Sequence, residues 1–109
     1  MEELSKKMKK EIRLLCSMAY EEELKRALLG LAKKVDLWKS GVLTSAKLTE
    51  EIHMFHDGES REIFKRYAHP MEKMCAAWAI ANGILQRDVI SPEVMEALKA
   101  EIAFYEEKK

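Results

Sequence analysis

The sequence predicts an all-α fold: a compact bundle of five or six helices with a long N-terminal helix or helical hairpin. Two observations carry this reading. β-branched residues are few, and no stretch alternates apolar with polar residues for long. Apolar residues instead recur at steps of three and four along most of the chain. At 109 residues, 48% apolar and 35% charged, the chain fits one helical domain over 1–109. A chain of this size buries roughly two-thirds of its unfolded surface, enough for one core without disulfides or metal. It is too short for a dinucleotide fold with a second domain, or for a TIM barrel.

The first helix is expected from about Glu2 to Tyr20. Leu4, Met8, Ile12, Leu15 and Ala19 form one stripe, and the other faces carry Lys and Glu. A second stripe, Leu24, Leu28, Leu31, Val35, Trp38 and Val42, has heptad spacing. The step from Ala19 to Leu24 is five, so the stripes differ in phase. Either the helix bends near Tyr20–Glu23, or one long helix presents two faces. Gly30 interrupts the second stripe and suggests a close helix crossing, and Ser40-Gly41 ends the element.

Thr44 or Ser45 caps a third helix with Leu48, Ile52 and Phe55 as its core stripe. Asp57-Gly58 is read as its break. A short fourth helix follows over about Glu59–Tyr67. His69-Pro70 opens a fifth, nearly all apolar helix that closes at Asn82-Gly83 and is placed at the centre of the core. Trp78 is expected at its heart, with Trp38 and Phe55 packing in. Ser91-Pro92-Glu93 starts the last helix, with Ile90 stapled onto Met95 and with Leu98, Ile102 and Tyr105 facing inward.

Charge and cysteine content bound the partners. Net charge is zero, with ten basic against seven acidic residues in 1–41 and five against seven in 70–109. That distribution favours self-association over nucleic acid, for which a strongly basic domain is expected. The basic face Lys6, Lys7, Lys9, Lys10 and Arg13 is diluted by glutamates and has no interleaved aromatic to stack on bases. A nucleic-acid-associated regulator is therefore only a further alternative. Cys16 and Cys75 form no CxxC pair and Met1 is followed by no apolar run, which points to free thiols in a reducing cytoplasm. The longest uncharged stretch, Met74 to Gln86, is too short to span a bilayer, so no membrane partner is expected.

No catalytic pattern of the GxSxG, HExxH or DxDxDG kind occurs, and no phosphate loop. The expectation is a non-enzyme with no catalytic residue, cofactor or metal. Glu50-x-x-His53 has the step used in di-iron bundles, but such sites need it twice. His53-x-x-His56 offers zinc two ligands and leaves the others unfilled. His53, His56 and Arg61 are instead grouped as a polar binding surface around the Asp57-Gly58 turn, which would have to fold the next helix back. The leading functional reading is a protein–protein interaction module acting as a homo-oligomer, a dimer, with a further protein partner left open. Residues 1–20 are its expected oligomerisation arm, and Leu4, Met8, Ile12 and Leu15 its contact. The alternative is a ligand- or metal-binding helical protein using the His53/His56 surface.

Overall fold

The computed structural model describes residues 4–68 and 71–108, and every regular element among them is helical. Helix α1 runs unbroken over Lys6–Lys39. Its 34 residues span about 51 Å at 1.5 Å each, which sets the 58 Å long axis of the molecule. Ser5 caps it by accepting a hydrogen bond from the Met8 N–H at 3.1 Å. Of the two options at Tyr20–Glu23, the continuous helix with two faces is the one adopted. No Gly or Pro stands there to bend it. A step of five residues turns the apolar stripe by about 140°. The two halves of α1 accordingly meet different partners on different sides.

The first half of α1 packs on α4 (Glu72–Ala81) and α5 (Pro92–Ala97), and α6 (Lys99–Glu107) closes over α4. Ile12, Leu15 and Ala19 interlock there with Ala76, Ala77, Ala79, Ile80, Val94, Leu98 and Ile102. Leu4 and Met8 pack against the same core. This corrects the expected oligomer contact. Ile12 and Leu15 find their cover inside the chain, and Leu4 and Met8 part of theirs, because α4 presents alanine methyls that let α1 lie close. The argument that this arm needs a second copy loses its premise.

Helix α4 is central as expected, but Trp78 is not its heart. The indole is only half-buried, at the rim, with the Arg66 guanidinium 4.2 Å from its ring centre. Trp38 and Phe55 lie at the other half of the molecule, outside this core. The proposed start of this helix at His69-Pro70 falls outside the described residues. Its end is a Schellman motif: Gly83 takes φ +71°, its N–H bonds Ile80 O, and the Ile84 N–H bonds Ala79 O. The C-terminal helix has the predicted cap, Ser91 Oγ accepting from Val94 N–H at 3.2 Å. The Ser91 N–H itself bonds Glu11 of α1. Leu98, fully buried, marks a slight break between α5 and α6.

The second half of α1 ends in another Schellman motif, with Gly41 at φ +83°. Helix α2 (Ser45–Phe55), capped by Thr44, then runs back along it. Trp38 Nε1–H donates to Ser45 Oγ at 2.9 Å, and Lys34 pairs with Glu51, tying the two arms. The Lys34 ammonium holds the Glu51 carboxyl below its ordinary value. The expected break at Asp57-Gly58 does not occur. The chain continues through a π-helical turn, His56–Ser60, directly into α3 (Arg61–Tyr67), with helical dihedrals on both sides.

Gly30 makes no close crossing: a Cβ built on it meets nothing within 4 Å. In mid-helix and with nothing to gain from its freedom, glycine there costs stability. Gly30→Ala should therefore stabilise the protein by about 1 kcal/mol, or about 4 °C in a thermal melt. An unchanged or lower melting temperature would show that something packs on this backbone.

Candidate functional site

The π-helical turn interrupts the α-helical pattern between α2 and α3 and carries several polar side chains. The chain passes through this turn with helical dihedrals on both sides, and the Arg61 N–H bonds Gly58 O. Ser60 and Arg61 follow His56 along the helix, and Phe64 lies one turn after Ser60. Across the gap, α1 contributes Tyr20. Together Tyr20, His56, Asp57, Ser60, Arg61 and Phe64 line a cavity of about 330 Å³.

Tyr20 is positioned from behind. Its ring packs against Tyr67 at 5.8 Å between centres. Tyr67 donates its hydroxyl to Glu23, and Arg66 bonds both Glu23 oxygens at 2.7 and 2.8 Å. Burial, and then donation to Glu23, push the Tyr67 hydroxyl well above the ordinary tyrosine value. It stays a hydrogen-bond donor across the working pH range. The cavity wall is thus held by an anchored network, while the groups facing the cavity are left uncommitted.

The structure joins two of the three residues grouped from sequence, His56 and Arg61, and leaves out the third. His53 is exposed on α2, one turn earlier, and does not line the cavity. The fold-back of a separate helix, assumed for this grouping, is replaced by the π-turn. Tyr20 and Phe64 were missed as site residues. The signal for Phe64 was present, a large aromatic off the core stripe of its helix. Tyr20 carried none, because its approach depends on the rotation of the α1 face.

Neither thiol is poised for chemistry. Cys16 donates to Glu72 O and Cys75 to Arg66 O. Burial, with the neighbouring Cys75 and Glu72 adding to it, raises Cys16 to about 12, and burial also raises Cys75. Among the described residues no group of three or more His, Cys, Asp or Glu is arranged to hold a metal ion, and no helix is long and apolar enough to cross a membrane.

A second feature lies on the projecting hairpin of α1 and α2. The heptad seam Leu24–Val42 is covered only in part. Ala27 beside it is buried, but Leu28 is 51% exposed, Val42 71%, and Trp38 and Ile52 are also open. Two helices lying side by side cannot shield a seam that faces outward from both.

No family model, curated protein or solved structure matches this chain.

Proposed function

We propose that the protein is a non-enzymatic interaction module that assembles as a homodimer through the α1–α2 hairpin. The observation that carries this reading is the half-covered heptad seam, with Leu28, Trp38, Val42 and Ile52 open to solvent on one projecting arm. Scattered exposed leucines are ordinary, but a run of them on a two-helix arm leaves that arm without a second layer. Pairing two such hairpins about a two-fold axis completes a four-helix bundle, and two-fold dimers are the commonest closed assembly. The uneven charge of the chain suits such a contact, since basic α1 of one copy can approach acidic segments of the other. The absence of catalytic motifs from the sequence, and the protonated thiols, fit a protein that works by contact.

Light scattering at about 100 μM should give a mass near twice 12.6 kDa. Leu28→Glu should return it to a single-chain mass with helicity unchanged, because the position is exposed within one copy. A single-chain mass for the unaltered protein would overturn the reading.

A further inference from the structure

We infer that the cavity at the π-helical turn binds a small phosphomonoester that carries a flat ring and a hydroxyl, the chemistry of a nucleoside monophosphate. This goes beyond the interaction role and does not depend on it. The inference starts from hydrogen-bond accounting. Several charged side chains at the helix contacts are matched: Arg66 with Glu23, Lys34 with Glu51, Lys73 with Glu101, Arg87 with Glu106. The cavity differs. Tyr20 Oη, the His56 imidazole, the Asp57 carboxylate, Ser60 Oγ and the Arg61 guanidinium line one space, and none bonds another group among the described residues.

The donor set defines the anion. Arg61 presents a planar fork, and His56, Ser60 and Tyr20 add three further donors from two sides. The Arg61 fork with these three groups offers at least about five N–H and O–H donors, more than the roughly four acceptor sites of a carboxylate, and they match the three terminal oxygens of a phosphate. Asp57 is the single carboxylate and opposes an anion placed against it. It therefore requires the phosphate to sit toward Arg61 and asks for a donor on the rest of the ligand, which a hydroxyl provides. Phe64 stands exposed at the edge with its ring free to receive a flat group. The volume, about 330 Å³, lies at the small end of ligand pockets.

This set exists only in the folded chain, because α1 brings Tyr20 to residues 56–64. In an unbroken α-helix His56 and Arg61, five apart, would diverge by about 140°. The π-helical turn lies between them and both line the one cavity, and such turns recur at functional positions.

The test is titration of the full-length protein with adenosine monophosphate, inorganic phosphate and adenosine separately, read by amide chemical shifts. Adenosine monophosphate should bind with a Kd of about 1 mM or tighter and move the signals of Tyr20 and residues 56–64. Phosphate and adenosine alone should bind at least about tenfold more weakly. Arg61→Ala should weaken the nucleotide at least about tenfold, and Phe64→Ala should weaken it without changing any response to phosphate. Both positions are exposed, so the variants keep the fold, and circular dichroism checks that. The inference is overturned by no binding at about 10 mM, by binding that survives Arg61→Ala, or by phosphate binding as tightly as the nucleotide.

Discussion

Replacing Leu15 by Ala should cost the protein about 3–4 kcal/mol, more than the loss of either tryptophan. Leu15 is 2% exposed and ranks with Leu98 and Val94 among the largest fully buried side chains. The buried residues of α4 in the same core are mainly alanines, Ala76, Ala77, Ala79 and Ala81, beside Ile80. An alanine has no side chain that can swing into the space left behind. The cavity therefore stays open, and cavities that cannot collapse lie toward the costly end of the leucine-to-alanine range. Such a loss is a large share of the 5–15 kcal/mol that holds a domain of this size folded. Trp78→Ala should cost about half as much. Its indole is at the rim, so part of its surface is already wet, and Arg66 can settle onto what remains. Urea denaturation of the two variants ranks them. If Trp78→Ala were the costlier, the contact between α1 and α4 would not be the centre of the core.

That ranking reverses what composition suggests, and the reason shows where sequence stops informing. The apolar, uncharged run from Met74 to Gln86 marks α4 as buried, and it is. Residue size then points to Trp78 as its centre. Packing decides otherwise, because alanines admit the closest helix approach and the bulky ring is displaced to the edge. Caps and stops were readable at single residues. Ser91 and Thr44 accept the predicted hydrogen bonds, and Gly41 and Gly83 hold the left-handed positions that end α1 and α4. These signals are local, so a local reading captures them. The π-turn was not readable. Asp57-Gly58 has poor helix propensity and looks like a break, yet the packing of α2 and α3 along one side of α1 carries the helix through it. The site followed the same division. His56 and Arg61 could be grouped by proximity in sequence, whereas Tyr20 joins them only through the second face of α1. The first stripe looked unpartnered for a related reason: its cover comes from α4 and α5, more than 50 residues away, and stripes do not name their partners.

Glu23→Ala should destabilise the protein by about 2–3 kcal/mol, the largest effect expected of any charged residue. Glu23 lies near the middle of α1, where the two halves of the molecule meet. Its carboxylate takes both bonds from Arg66 and the hydroxyl of Tyr67, so three hydrogen bonds from two side chains depend on it. Its own side chain is 12% exposed and that of Arg66 is 33% exposed. Losing one partner of a fully buried pair costs about 3–5 kcal/mol, and the exposed third of Arg66 lets water recover part of it. Arg66 also lies over Trp78, and its carbonyl accepts from the Cys75 thiol, so loosening it disturbs α3 and α4 together. A double-mutant cycle with Tyr67→Phe should show a coupling of about 1 kcal/mol, since the hydroxyl without Glu23 gains nothing from being present. Alkaline pH gives an independent check. Tyr67 titrates above its ordinary value of 10.0 in the folded state, so its contribution is complete below pH 10 and is lost as pH rises through the folded value. The unaltered protein should thus lose stability above about pH 10 more steeply than Glu23→Gln, in which the tyrosine is held less strongly in its protonated form. Equal alkaline slopes would mean that Glu23 does not govern Tyr67, and that the wall behind Tyr20 is held by ring packing alone.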